Sequence, residues 1–387
     1  MKKVVYFDNN ATTMVAPEVI EAMQPYWSKL YGNPSSIHSF GGEVRKDVEK
    51  AREQVAALLG AKAGEIVFTG GGSESDNMAI LCALEAAGPE KKHVITTKVE
   101  HHAVLKVCDY LKTKGYRVTE LDVNIDGALD LDQLDRSITI NTALVSIMWA
   151  NNETGVISPI EKIVEIVKSK GVLFHTDAVQ AVGKIPLDLS KIPVDFLAAS
   201  GHKLHAPKGI GVLFVREGVD LPPLIHGGHQ EGGRRAGTEN VPAIIGFGKA
   251  AEIALEHMDE KNERVRRMRE KFETGILSRC KGTRINGRNR LPNTSNITFG
   301  YVEGEAVLLM LDDLGICASS GSACTSGSLE PSHVLKAMGL DESSIYSSIR
   351  FSISRYTTQE EIDYALEHIP QIIKRLREMS PFTQVFS

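Results

Sequence analysis

Val194-Asp195-Phe196-Leu197-Ala198-Ala199, followed at once by Ser200-Gly201-His202-Lys203, is the stretch on which the fold turns. The first six residues are mostly apolar and predict a buried strand; the loop behind them carries Pro207 and Gly209. A lysine delivered off the end of a buried strand has a partly desolvated ammonium, and desolvation lowers an amine's pKa. Such an amine can attack a carbonyl carbon; a solvated loop lysine is the plain alternative. Upstream, Val172-Leu173-Phe174-His175 predicts another short strand, which brings Asp177 and Gln180 to a strand end. An amine for an aldehyde and an acid for a pyridinium nitrogen, on neighbouring strand ends, are what pyridoxal phosphate (PLP) requires.

From Glu65 to Val215 short apolar runs alternate with segments of helical period. Ile66-Val67-Phe68, Val94-Ile95-Thr96, Val118-Thr119-Glu120-Leu121 and Ala143-Leu144-Val145-Ser146-Ile147 predict strands, with helices after Ser73, His101 and Pro159. That alternation predicts an α/β fold, a mostly parallel central sheet with helices on both faces. In such sheets ligands sit beyond the carboxyl ends of the strands, where Ser73, His101, Asn152, Asp177 and Lys203 all fall. A long helix from Val241 to Leu277 is expected as a connector. Beyond it, Thr294–Phe299, a helix from Glu303 to Asp313, Ile349–Ile353 and a closing helix from Thr358 to Met379 predict a smaller α+β domain. The expected division is 15–255 for the large cofactor-binding domain and 1–14 with 256–387 for the small one.

Composition narrows the function classes. A formal net charge of -5 gives no reason to expect nucleic acid or an anionic membrane as partner. The basic run Arg264, Arg266, Arg267 and Arg269 alternates with acids and predicts a solvated helix face. No apolar stretch is long enough to span a bilayer, and the N-terminus lacks a secretory pattern, so a cytoplasmic chain is expected. Five scattered cysteines without a CxxC pair speak against a disulfide framework or a zinc site.

Thr69-Gly70-Gly71-Gly72-Ser73-Glu74-Ser75 joins a strand to a helix. Its glycines would let the backbone, at Gly72 and Ser73 above all, approach an anion at a helix start; a turn with a capped helix is the alternative. Ser200 and His202 could reach the same phosphate from the other side. His101, at a strand end in Glu100-His101-His102, suits ring stacking and proton transfer. The pairs His202/His205 and His226/His229 are open to metal binding, although Gly227-Gly228 reads first as a tight turn. Arg350, between apolar strand residues, matches a carboxylate ligand or a structural ion pair equally well. Cys324 stands apart from the other cysteines, in the small-residue stretch Ala318–Ser328, where a mobile loop would expose its thiol as a nucleophile. Cys82, Cys108 and Cys317 instead fit buried positions.

Several stretches in order resemble the cysteine desulfurases of the NifS/IscS group, class V aminotransferase relatives among the fold-type-I PLP-dependent transferases. They are Tyr6–Thr13, Gly32-Asn33-Pro34-Ser35-Ser36, Glu74-Ser75-Asp76-Asn77, Asn151-Asn152-Glu153-Thr154-Gly155, the lysine stretch, Arg235-Ala236-Gly237-Thr238 and the Cys324 loop. The resemblance implies that Lys203 holds PLP and then carries protons. It implies that Asp177 pairs with the pyridinium nitrogen, Gln180 with the ring hydroxyl, and that His101 stacks on the ring. Gly72, Ser73, Ser200 and His202 would hold the phosphate, with Thr238 contributed by the other subunit of a homodimer. Asn152 and Arg350 would bind the carboxylate of L-cysteine, and Cys324 would take its sulfur as a persulfide, releasing L-alanine. The implied acceptor is an iron–sulfur scaffold protein of the NifU/IscU type, and Ser328–Met338 with Ser380-Pro381-Phe382 stands closer to the NifS branch. A selenocysteine lyase or an aminotransferase on the same scaffold, and a non-catalytic interaction protein, are the competing expectations.

Overall fold

Seven apolar runs of the first two-thirds of the chain meet in one sheet. The computed structural model describes residues 4–320 and 331–379, so Cys324 lies outside the described residues. The strands are β1 (Val5–Tyr6), β2 (Ile66–Thr69), β3 (His93–Thr97), β4 (Arg117–Leu121), β5 (Thr142–Ser146), β6 (Leu173–Asp177), β7 (Phe196–Ser200), β8 (Gly211–Val215), β9 (Thr283–Ile285), β10 (Thr294–Phe299), β11 (Ile316–Cys317), β12 (Ser319–Ser320) and β13 (Ser348–Ser352). The helices are α1 (Pro17–Met23), α2 (Ser39–Leu59), α3 (Gly72–Ala87), α4 (His102–Thr113), α5 (Leu131–Ser137), α6 (Ile160–Ser169), α7 (Val241–Glu256), α8 (Met258–Arg279), α9 (Gly304–Asp313), α10 (His333–Ala337), α11 (Glu342–Tyr346) and α12 (Gln359–Met379).

The large sheet has the order β2-β8-β7-β6-β5-β3-β4. Only β8 runs against its neighbours, antiparallel to both β2 and β7. Alternation along each strand sends side chains to opposite faces. Ile66, Phe68, Leu197, Val212 and Phe214 face one core, while Val67, Phe196 and Leu213 face another. The first core is closed by α2, α6 and α7, the second by α3 and α4. In α6, Ile160, Ile163, Val164 and Val167 are all buried, the i, i+3, i+4, i+7 stripe of a helix lying on a sheet. The expected mostly parallel sheet covered on both faces is therefore present.

The remaining elements form a second core. The antiparallel sheet β12-β13-β10-β9 is covered by α8, α9 and α12, with Phe272, Ile297, Phe299, Phe351 and Ile369 buried between them. The N-terminal β1 pairs with β11, which places Val5 and Phe7 in this second core. Residues 8–13 then cross to the large sheet, so one short arm touches both units.

Three expectations are corrected. The predicted helix from Val241 to Leu277 is two helices, because His257 (φ -124, ψ 17) breaks the chain between α7 and α8. The basic run is not wholly a solvated face. Arg269 is buried, donating to the Leu291 carbonyl at 2.6 Å and lying 3.7 Å from Glu273, because α8 turns that side toward the protein. Cys317 is half-buried on a two-residue strand rather than a core side chain.

Candidate active site

A cavity of about 250 Å³ opens at the carboxyl ends of the parallel strands, lined among others by Gly72, Ser73, His101, Asn152, Asp177, Gln180, Ser200, His202, Lys203 and Arg350. Of the sequence-predicted site residues in the described chain, only Thr238 is not brought there: it is exposed and borders no part of this cavity.

Each side chain arrives by a local device. β7 ends at Ser200 and a single 3-10 turn, Gly201–Lys203, swings Lys203 over the strand end. Gly201 is needed in that turn, since a Cβ there would lie 2.8 Å from the Ile210 side chain and 3.2 Å from the Pro207 carbonyl. The crossing arm packs on the same turn: Thr13 N–H donates to the His202 carbonyl at 3.0 Å. Lys203 Nζ donates to the carbonyls of Asn10 and Ala11 at 2.5 and 2.7 Å.

At one end of the cavity the backbone forms an anion cradle. α3 begins at Gly72 with no side chain capping its first amides, which leaves N–H groups and the positive end of the helix dipole for an anion. β8 presses on this loop from below. A Cβ on Gly211 would fall 2.5 Å from the Gly71 carbonyl carbon, and one on Gly72 would fall 2.7 Å from Val179 Cγ2. Glu74 ties the loop down, accepting from Gly70 N–H at 2.8 Å and from Arg235 Nε at 2.9 Å. The His202 ring lies beside it, with Nδ1 3.2 Å from Thr12 Oγ1; burial, then Lys203, lowers its pKa to about 4.

An acidic floor lies at the far end. Asp177 closes β6 and is 5% exposed; its Oδ1 accepts from Val179 N–H at 2.9 Å. Burial lifts its pKa to about 6, against the opposing pull of the Val179 amide and Lys203. Beneath it, Glu100 accepts from Met148 N–H and Thr97 Oγ1 through Oε1 alone, and burial raises it to about 8. Asp76 Oδ1 stands 3.4 Å from His175 Nε2, both fully buried. Burial holds His175 neutral, near 3, and raises Asp76 well above the ordinary carboxylate range.

His101 is the N-cap of α4: its Nδ1 accepts from Ala103 N–H at 3.1 Å. A nitrogen that accepts carries no proton, so the neutral ring holds its proton on Nε2. Burial first, then Lys203, lowers the pKa to about 4 and keeps the ring neutral at pH 7. Arg350 comes from β13 of the second unit. Its Nη2 donates to Asp8 Oδ1 at 2.8 Å and Nη1 to the Asn152 carbonyl at 3.1 Å, while the buried Nε has no partner among the described residues. Arg350 thus forms a structural ion pair with Asp8 and also borders the cavity.

Asn10, Asp76, Glu100 and Lys184 were not foreseen as site residues. Asn10 lies in the crossing arm; its N–H donates to Ser352 Oγ, its Nδ2 to Thr294 Oγ1, and its carbonyl accepts from Gln180 and Lys203. The only sequence signal for it was the Asn9-Asn10 doublet inside a matched stretch, which carries no periodicity. No group of three or more metal-ligating side chains occurs among the described residues, so neither histidine pair belongs to such a cluster.

A half-buried strand-end lysine, a buried carboxylate beyond it and a glycine cradle at a helix start define a PLP enzyme of fold type I, and these residues fit that cofactor. The family model for Aminotransferase class-V matches residues 5–365, and the chain belongs to that family, among its cysteine desulfurases. It is 60% identical over 381 residues to the cysteine desulfurase of Trichormus azollae, covering 98% of this chain and 95% of that one. It is 54% identical to the cysteine desulfurase NifS of Azotobacter vinelandii, covering 98% and 94%. A solved NifS-like protein superposes with a TM-score of 0.91 at 42% identity, over 97% of this chain and all of that one.

Proposed function

We propose that the chain is a PLP-dependent L-cysteine desulfurase that stores the sulfur as a persulfide on Cys324. The observation that carries this is the convergence of Lys203, Asp177, Gln180, His101, Asn152 and Arg350 on one cavity. PLP, bound through its aldehyde, supplies an electron sink for bonds next to the substrate's amino group. Lys203 Nζ, pinned between the Asn10 and Ala11 carbonyls, is the amine for that aldehyde and afterwards the group that moves protons at the substrate's α-carbon. Asp177 is the anion that keeps a protonated ring nitrogen in place, and the cost of burying it is offset when that positive charge arrives. The α3 start, Ser73, Ser200 and His202 would hold the phosphate. His101, which lines the cavity, would stand against the ring and offer the proton on its Nε2. Arg350 and Asn152 receive the substrate carboxylate. The Cys324 thiol takes the substrate's sulfur: the carbon–sulfur bond breaks, a sulfur–sulfur bond forms, and the three-carbon skeleton leaves with a proton as L-alanine.

We further assign the sulfur to a scaffold acceptor of the NifU/IscU type for iron–sulfur assembly, on the strength of the NifS and IscS relatives. The assembly we assign is a homodimer in which Thr238 completes the partner's phosphate site; Arg235, three residues before it, already binds the cradle through Glu74. Residues 15–255 and 1–14 with 256–387 serve as the two functional units, supported by the separate cores. A cytoplasmic setting accords with the free thiols at Cys82, Cys108, Cys280 and Cys317. Among the described residues no helix is long and apolar enough to cross a membrane.

Mass spectrometry after incubation with L-cysteine tests the reading: one added sulfur is expected on Cys324, with alanine released. Cys324→Ala should retain the visible absorbance of bound PLP and lose alanine formation. Sulfide release at the wild-type rate from that variant would refute the assignment.

A further inference from the structure

The segment after β6 turns like a helix: Ala181 and Val182 N–H groups donate to the Ala178 carbonyl, and Lys184 and Ile185 to that of Ala181. Side chains four apart then share a face, and here they are Gln180 and Lys184. Lys184 Nζ donates to Gln180 Oε1 at 2.6 Å, and lies 3.5 Å from Asn10 Oδ1. Asn10 is itself fixed, its Oδ1 accepting from Asn293 Nδ2 at 3.0 Å. Gln180 Nε2 gives one N–H to the Asn10 carbonyl at 3.0 Å.

We propose that Lys184 is a positioning residue for the cofactor: by holding Gln180 Oε1 it leaves the second amide N–H of Gln180 to serve the ring hydroxyl of PLP. This rests on the assignment of the cavity as the PLP site. A primary amide has one acceptor and two donor hydrogens. With the acceptor engaged by Lys184 and one hydrogen by Asn10, a single donor remains, on a cavity-lining side chain that is 4% exposed. A ring oxygen there meets an N–H rather than the amide oxygen. Without Lys184, Oε1 would be buried with no donor, and rotating the amide to relieve it would withdraw that N–H.

The role does not depend on Lys184 being charged, since an amine donates hydrogen bonds whether protonated or neutral. Burial, with Lys203 and Arg350 facing it from the β7 turn and β13, lowers its pKa to about 7. His257 and Lys261 at the α7–α8 junction and Arg355 after β13 border a small cavity that Lys184 shares with Lys203. Asp177 lies across the main cavity.

The test compares Lys184→Met and Lys184→Arg with the wild type, each as full-length protein titrated with PLP, by visible absorbance across pH. Methionine should weaken PLP about five- to tenfold, the worth of one hydrogen bond. It should also move the pH midpoint of the bound cofactor's absorbance by roughly half to one unit. Arginine, which still donates, should restore most of both. Lys184→Ala, which also lacks a donor, should shift the midpoint as methionine does, and it carries the test if the methionine variant does not fold. A methionine variant with wild-type affinity and midpoint overturns the proposal, as does an arginine variant as impaired as methionine. A wild type that gains no visible band with PLP would instead remove the cofactor assignment, and this inference with it.

Discussion

Replacing Asp177 by Asn should make the cofactor-free protein more stable at pH 8 while impairing PLP binding. Asp177 has a folded pKa of about 6 against an ordinary 3.8, chiefly through burial. For an acid whose folded pKa is raised, the native state holds more protons than the unfolded chain between the two values. Stability therefore falls as pH rises through that window and levels off above it. A gap of roughly two units at 1.36 kcal/mol each corresponds to about 3 kcal/mol of destabilisation at pH 8, and to none below pH 3.8. Asparagine removes the charge but keeps an oxygen for the 2.9 Å bond from Val179 N–H. Asp76, whose pKa is raised in part by Asp177, should titrate closer to its ordinary range once that neighbour is neutral. The assay is denaturant unfolding of both cofactor-free proteins at pH 4, 6 and 8. The curves should nearly coincide at pH 4, separate through pH 6, and differ by about 3 kcal/mol at pH 8 in favour of asparagine. Saturating PLP should reverse the order, because only the carboxylate gains a cationic partner. A variant less stable at pH 8 without cofactor, or a difference that ignores pH, would refute the reasoning.

Two further substitutions probe the scaffold under the site. Glu231 binds Arg52 through both oxygens at 2.6 and 2.9 Å and accepts from Phe68 N–H, all buried. Glu231→Ala removes the bidentate buried partner, leaving the guanidinium with the exposed Glu49 and the Ile66 carbonyl, and should cost about 3 kcal/mol in denaturant unfolding; a loss near zero would show that those partners suffice. Gly211→Ala places a methyl group 2.5 Å from the Gly71 carbonyl carbon. It should cost about 1–3 kcal/mol and weaken PLP in a fluorescence titration, and unchanged PLP affinity would mean that the cradle tolerates displacement.

The sheet was legible because its strands are short runs of four to five residues around an apolar centre, almost all buried on both faces except at the β4 edge. The same property hid β8: an apolar run reads identically in either direction, and only its pairing with β2 and β7 makes it antiparallel. The break at His257 was hidden for a related reason, since helical period continues across it and backbone angles leave no mark on composition.

Lys203, Asp177 and His101 were visible as polar residues at or just beyond the ends of apolar strands, and Arg350 as a charge between apolar residues within one, where burial demands a purpose. Asn10, Asp76, Glu100 and Lys184 were not, because what marks them is a partner distant in sequence or a buried oxygen without one. By itself the sequence determined the chemistry on offer: an amine, an acid, a glycine turn and a thiol, each tied to a strand end or loop by local pattern. Tertiary structure alone decided which of these meet, since convergence depends on strand order and on an N-terminal arm crossing between two cores. It also decided their protonation, because pKa follows burial and neighbouring charge, and neither is a property of a residue taken alone.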